Sequence, residues 1–520
     1  MYQTKQKSEG SANHLLVPFL FTTPFLIPFL ISGQSTITIN HVMINPDSNA
    51  LPGRPLLADH DGNRQSSTPT PVTLLVVFST LIAVLGSAVT GLASGYSSPS
   101  ESGIMEDLGL SGAEYSLFGS MLTIGASVSS LVNGKITDVI GRRYTMGLSV
   151  AFSMVGWLLI AVAQNAWCLD VGRLLIGVGV GITAYVVPVY IAEITPRTVR
   201  GAFTSLNQFS LCCGFSFVYF LGTVASWRVL ALTGVFPCVL QMIGIFLIPE
   251  SPRWLAKVSR ENELEATLQS LRGKDADISQ EAAEIREFTK AFEQESSRVL
   301  DMFQWKYARP LIIAIGLLIF QPLGGLTAIA YYASSIFESA GFSSNVGTIC
   351  MAILQIPMTG LSVLLTDRAG RRPLLLVSSA GMCLSCTLIG MAFCFQNVTR
   401  LEAATPVMVF SGIMAYTVFY SIGIASLPWV MLSEVLPISI KGTAGSLASL
   451  VNWVSSWVVA YTFNFMFDWS AAGTFFIFAA MCGLTLVFEA TIVPETKGRS
   501  LEELQASLTN FFSKDTTIVD

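Results

Sequence analysis

The chain is 520 residues long, 52% hydrophobic and only 12% charged, against roughly 25% charged in an ordinary soluble domain. A surface so poor in charge calls for an apolar solvent, and a lipid bilayer supplies one. The net charge of −5 argues against a nucleic-acid partner, because phosphate contacts need an excess of Lys and Arg.

Residues 1–71 read as an N-terminal extension without a fold of its own. Leu15 to Ile31 is apolar and follows Lys5 and Lys7, as a signal-peptide core would. Pro18, Pro24 and Pro28 nevertheless disfavour a stable helix there. Leu56–Leu57 has the form of a sorting signal but lacks an acid four residues upstream. His14, His41 and His60 all precede the membrane body, which excludes a histidine metal site, hydrolase triad or proton relay within the spans.

Apolar runs long enough to cross a hydrocarbon core of roughly 30 Å follow at 72–96, 115–135, 145–163, 168–190, 203–223 and 228–248. They resume at 310–332, 346–367, 374–395, 406–431, 443–466 and 471–492. The expected fold is an all-α membrane protein with twelve transmembrane helices in two pseudo-symmetric six-helix bundles, 72–248 and 310–492. Between them, 249–309 is a charged linker in which Leu264, Leu268, Leu271, Ile285 and Phe288 recur at helical spacing, predicting short amphipathic helices. Residues 493–520 form a C-terminal tail. Lys135, Arg142, Arg143, Arg197, Arg200, Arg368, Arg371, Arg372, Lys441, Lys497 and Arg499 share the linker's face, whereas the opposite face has only Arg228 and Arg400. By the positive-inside rule, the linker and both termini of the membrane body are cytosolic.

The halves repeat each other. Asp138-x-x-Gly-Arg-Arg143 recurs as Asp367-x-x-Gly-Arg-Arg372, Glu193-x-x-Pro with Arg200-Gly201 as Glu434-x-x-Pro with Lys441-Gly442, and Pro249-Glu250 as Pro494-Glu495. Internal repetition of this kind marks a transporter built from two related bundles. The charges are expected to act as a latch at the inner gate, with Arg142, Arg143, Arg200, Arg371 and Arg372 gripping Glu193 and Glu434 when it is shut. Arginine is permanently charged and bonds carboxylates in bidentate fashion.

The paired D-x-x-G-R-R loops, Pro249-Glu-Ser-Pro-Arg-Trp254 and Pro494-Glu-Thr-Lys-Gly-Arg499 resemble the sugar porter family of the major facilitator superfamily, over residues 72–505. Gly95-Tyr-Ser-Ser-Pro99, Tyr185-Val-Val-Pro188 and Tyr331-Tyr-Ala-Ser-Ser-Ile-Phe337 are similar to its plant early-dehydration-responsive branch, whose members are monosaccharide transporters, often of the vacuolar membrane.

A sugar site needs hydrogen-bonding groups near mid-membrane and an aromatic ring against the sugar's apolar face. Polar side chains are costly at that depth, which makes each a functional candidate. The fifth span carries Gln208, the seventh Gln321, the eighth Gln355 and the eleventh Asn452, while Trp429 and Trp453 supply rings. The resemblance implies sugar contacts at Gln208, Gln321, Trp429, Asn452 and Trp453, with Gln355 where relatives often carry Asn. It also implies outer-gate aromatics at Tyr331 and Tyr332. The seventh span departs from the family's Gln-Gln-x-x-Gly-x-Asn by placing Pro322 and Thr327 at two of these positions.

Other signals are structural. Gly177-x-Gly-x-Gly181 lacks a preceding strand and reads as close helix packing. Asp170 and Arg173 are one turn apart and are expected to pair. Cys383 and Cys386 form an isolated C-x-x-C read as packing, and Asn397-x-Thr399 is a formal glycosylation site.

The resemblance implies monosaccharide (hexose) transport by alternating access, with no cofactor and no enzymatic step. The expected partners are a small-molecule sugar and the bilayer, with the protein a monomer in the vacuolar or plasma membrane. Facilitated diffusion is favoured: where proton-coupled plant relatives carry an acid after Gly-Tyr, Gly95-Tyr96 is followed by Ser97, and no Asp, Glu or His lies between Val72 and Tyr96. Proton symport, with Glu489 as its acid, and a non-transporting sugar sensor are the alternatives.

Overall fold

The computed structural model describes residues 72–196, 198–294, 303–396 and 402–497. The N-terminal extension, with Leu15–Ile31, Leu56–Leu57 and the histidines, lies outside the described residues, as do Asn397 and the tail from 498 onward. Among the described residues two units are distinguished, 196–202 and 72–195 with 203–497. In the first, the Val199 amide donates to the Pro196 carbonyl (3.2 Å) to form a turn. The second is the helical body.

All regular structure among the described residues is helical. The first half comprises α1 (Leu74–Leu108), α2 (Gly112–Ser130), α3 (Asn133–Ile140), α4 (Arg142–Ala161), α5 (Ala166–Ile194), α6 (Arg200–Gly222) and α7 (Trp227–Ile245). Linker helices α8 (Pro252–Lys257), α9 (Glu261–Arg272) and α10 (Ser279–Gln294) follow. The second half comprises α11 (Ala308–Leu323), α12 (Leu326–Ser339), α13 (Ser344–Ala369), α14 (Arg371–Phe395), α15 (Thr405–Ile422), α16 (Leu427–Val435), α17 (Ile438–Trp469) and α18 (Ala471–Thr491).

Among the described residues nine helices are long and apolar enough to cross a membrane, or ten when α2 and α3, bent by 56°, count as one span. Two long helices fall outside that set: α6, with 23 residues, and α17, with 32. They are the helices that carry Gln208 and Asn452, so it is polar content and not length that sets them apart.

Apolarity and helicity end at different places. The first run loses its apolar character at residue 96, yet α1 continues through Pro99 to Leu108 as a polar extension. The seventh run is two helices, broken at Gly324–Gly325 just after Pro322, and Gly325 has φ 96°. The tenth is likewise α15 and α16, separated by residues 423–426 and restarted by Pro428 in the first turn of α16. Proline lacks an amide donor and leaves a gap in the helical ladder, and at each break carbonyls are exposed that need partners.

In the first half α5 packs against α2 and α4. A β-carbon at Gly177 would stand 2.2 Å from the Leu122 carbonyl oxygen, and one at Gly181 2.1 Å from Ser129 Oγ. The glycine series therefore serves close packing, as its mid-helix position suggests. In the second half α14 packs against α15 and α18, and the halves meet through α2 with α17 and α1 with α12.

The linker helices form as their spacing predicts. Leu264 and Leu268 join Trp254, Leu255 and Ala282 in a small core, with Ile285 packed on it. Arg272 bonds both oxygens of Glu281 (2.6 and 2.8 Å) and donates to the Ile194 carbonyl at the end of α5 (2.8 Å). Thr73, the N-cap of α1, donates to the Leu271 carbonyl (2.8 Å). The linker is thus docked on the first half. The Phe288 side chain lies outside the described residues.

Candidate functional site

At the linker face the repeated motifs build the same device twice. Arg142 grips Glu193 through Nε (2.9 Å) and Nη2 (3.1 Å), and Ser251 Oγ donates to the same carboxylate (2.5 Å). Glu250 accepts the backbone amides of Arg142 (2.9 Å) and Arg143 (3.1 Å) at the N-terminus of α4. In the second half Arg371 Nη2 donates to Glu434 (3.2 Å), and Glu495 accepts the amides of Arg371 and Arg372 (both 3.1 Å) at the N-terminus of α14. A carboxylate at a helix N-terminus meets unpaired N–H groups and the positive end of the dipole.

The glycine of each motif follows from this geometry. Gly141 has φ 88° and Gly370 φ 95°, and a β-carbon would lie 2.5 Å from Glu250 Oε2 or 2.9 Å from Glu495 Oε2. Burial pushes the Glu250 carboxyl above its ordinary range despite its amide donors. Burial acts on Glu495 too, but backbone donors from Lys497, Arg371, Arg372 and Thr496 outweigh it and hold that carboxyl low. Sequence reading missed this capping role, although the recurrence of Pro-Glu with Gly-Arg-Arg was its signal. Arg143 Nη2 and Arg372 Nη2 reach the carbonyls of Phe246 (3.3 Å) and Ala490 (2.5 Å). Arg200 is the first residue of α6. Each arginine–carboxylate pair closes inside its own half.

On the opposite face the halves are tied to each other. Ser98 of α1 bonds both the hydroxyl and the amide of Ser334 on α12 (both 2.9 Å). Tyr219 of α6 donates to the Ala330 carbonyl (2.7 Å), and Asn464 of α17 to Ser116 of α2 (2.9 Å). Ser335 donates to Glu101, which lies in the polar extension of α1. Beneath these ties Tyr331 and Tyr332 are buried. Tyr332 donates to the Ala460 carbonyl (3.0 Å) and stacks on Phe463 at 4.9 Å.

Arg173 departs from expectation. It forms no ion pair with Asp170. The guanidinium is fully buried, donates to Ser97 Oγ (2.6 Å), and lies 5.3 to 5.9 Å from the ring centroids of Phe118, Tyr96 and Tyr331. The helix turns this side chain toward α1 and α12, where aromatic faces hold the cation, which pairs with no carboxylate among the described residues.

Midway between the faces, four of the sequence candidates join two bonded groups. Gln208 of α6 and Gln355 of α13 both direct their amide Nε2 at Cys212 Sγ (3.8 Å each), and Thr359 Oγ1 lies 3.3 Å from that sulfur. Asn452 of α17 donates to Gln321 Oε1 (3.1 Å) and to the Leu318 carbonyl (2.8 Å). Gln321 Nε2 in turn donates to the Ile424 carbonyl (2.8 Å), inside the break between α15 and α16. Ser362, on the Gln355 face of α13, donates to the Ile422 carbonyl (2.9 Å) and so links the groups.

Gln208 and Gln355 are half-buried, while Gln321 and Asn452 are buried and occupied with broken backbone. Thr327 is buried at the start of α12, and Trp429 and Trp453 are half-buried; none of the three enters these bonds. Cys212, Thr359 and Ser362 were missed as candidates. Their signal was positional: Cys212 is four residues from Gln208, and Thr359 and Ser362 are four and seven from Gln355.

A family model described as "Sugar (and other) transporter" matches residues 64–508. The chain belongs to this family. Its relatives include Sugar transporter ERD6-like 7 of Arabidopsis thaliana, 49% identical over 433 residues covering 83% of this chain and 94% of that one. Sugar transporter ESL1 of the same plant is 46% identical over 441 residues, 85% of this chain and 94% of that one. The plant branch indicated by the motifs is therefore the right one.

Among solved structures, the major facilitator proton:xylose symporter XylE bound to 6-bromo-6-deoxy-D-glucose superposes with TM-score 0.71 at 24% identity, covering 84% of this chain and 99% of that chain. The inward-open conformation of XylE from E. coli gives 0.70 at 24%, covering 83% and 99%. These likenesses establish the major facilitator fold. As a member of the sugar transporter family, the protein is a transporter and not an enzyme.

Proposed function

We propose that this protein carries monosaccharides, hexoses first among them, across a membrane by alternating access and without obligatory proton coupling. The observation that carries the reading is the convergence of Gln208 and Gln355, half-buried amides from opposite halves, on one point midway between a tied face and a charged one. Amides match sugar hydroxyls as donors and acceptors. Trp429 and Trp453 are assigned to the sugar's apolar face, and Gln321, Asn452 and Thr327 to the wall of the site. The names of the relatives support the cargo class.

Two observations favour facilitated diffusion. Ser97, the residue after Gly95-Tyr96, has no proton to exchange near neutral pH, and the cation it faces, Arg173, has two guanidinium nitrogens without a hydrogen-bond partner and no ion pair among the described residues. A group that couples protons to cargo must gain and lose one as the halves rock. The protein is assigned to the vacuolar or plasma membrane as a monomer, with linker and both termini of the body cytosolic.

Radiolabelled hexose flux in proteoliposomes under an imposed pH gradient tests the reading. Equilibration without uphill accumulation is expected. Accumulation that a protonophore abolishes would overturn the facilitator and direct attention to Glu489, which accepts a hydrogen bond from Ser379 inside the second half. Absence of flux for every hexose would remove the cargo class.

A further inference from the structure

Along the seam between α6 and α13, polar groups of the two halves meet in register. Ser216 Oγ donates to the Ala352 carbonyl (3.0 Å), and one turn along the seam Cys212 Sγ lies 3.3 Å from Thr359 Oγ1. Cys212 is 1% exposed, and the same sulfur receives Nε2 of Gln208 from its own helix and Nε2 of Gln355 from the other half, each at 3.8 Å. Two amides that belong to different halves of the chain thus share one acceptor. That acceptor is a thiol, weaker than any hydroxyl or carbonyl oxygen.

We propose that Cys212 is a positioning residue for the cargo: with the tied face closed, its sulfur holds the Gln208 and Gln355 amides together across the seam and releases them to sugar hydroxyls. The proposal rests on the reading that these two amides contact sugar. The choice of sulfur has a physical sense. An oxygen acceptor would satisfy both amides so well that a sugar hydroxyl gains little by replacing it. An apolar side chain would leave two half-buried amides without their shared acceptor whenever the site is empty, which is unfavourable and makes cargo release harder. A weak acceptor satisfies the empty site without competing strongly with cargo, so the amides stay oriented and exchangeable. Rocking that parts α6 from α13 separates the amides and dissolves the arrangement.

The two failures of balance predict opposite effects. In full-length protein reconstituted in proteoliposomes, with D-glucose as probe, Cys212→Ser is expected to raise KM by about three- to tenfold with little change in maximal rate. Cys212→Ala is expected to lower KM by a similar factor and to slow maximal rate, because release then strands both amides. A purely structural thiol would instead move KM the same way in both variants, or in neither, and either result overturns the proposal. Thermal melting of both variants in detergent shows that the protein measured is folded. Gln208→Ala in parallel separates the two layers of inference. Unchanged affinity in that variant would sink the site itself, whereas weakened affinity without the Ser/Ala divergence would sink only the role of Cys212.

Discussion

At the scale of single residues, the polar candidates divide by what they already hold. Among the described residues Gln208 donates only to a sulfur, so its loss leaves the backbone bonds in place. Asn452 holds Gln321 and the Leu318 carbonyl, and Gln321 holds the Ile424 carbonyl at a break. Gln208→Ala should therefore weaken sugar binding about five- to a hundredfold, corresponding to about 1–3 kcal/mol, with an unchanged melting temperature. Asn452→Ala should weaken binding and also lower the melting temperature, because it orphans buried polar groups. Isothermal titration and thermal melting of the purified variants check both. Equal melting temperatures for the two variants would mean that Asn452 does not support the broken span. These residues were legible because polar side chains stand out against apolar spans. Their sorting was not, because it depends on which carbonyls the breaks expose.

At the scale of elements, the linker-face loops show why the D-x-x-G-R-R motif has its form. Sequence reading accounts for the arginines and their acids. The glycine and the Pro-Glu some hundred residues downstream become one unit only when Glu250 is seen capping α4 and Glu495 capping α14. Gly141→Ala places a β-carbon 2.5 Å from Glu250 Oε2 on a residue with φ 88°. Its positive φ with an extended ψ is a glycine region that alone costs a residue with a side chain about 1–3 kcal/mol. The variant should melt several degrees lower and insert less efficiently. Gly147, in the middle of α4, has nothing within 4 Å of a built β-carbon. Gly147→Ala should be neutral or stabilising by about 0.5–1 kcal/mol. Indistinguishable melting of the two variants would remove the capping argument. Element breaks also escaped the apolar pattern: a run such as 406–431 is uniformly hydrophobic whether or not the helix is interrupted within it.

At the scale of the whole molecule, the ties on one face run between the halves, while the arginine–carboxylate pairs on the other lie inside each half. A latch that closes the linker face in the opposite conformation would have to exchange these partners across the halves. Arg142→Ala or Arg371→Ala should then favour the present conformation, seen as faster alkylation of cysteines placed along the linker-side cavity. Unchanged alkylation with a lowered melting temperature would confine the arginines to holding their own halves together.

What the sequence determined by itself was the solvent, the helical class, the repeat and the family, because these depend on composition, period and motif order, all properties of the chain in one dimension. It also located the polar residues of the spans. Tertiary structure alone decided what each residue bonds. Arg173 looks paired with Asp170 on a helical wheel, yet packing turns it into an aromatic box beside Ser97. Cys212 looks like one more apolar core residue, yet α13, distant in sequence, brings an amide of the other half onto the sulfur that Gln208 of its own helix already faces. Local spacing sets which face of a helix a side chain occupies. Only the packing of other helices against that face sets what it meets.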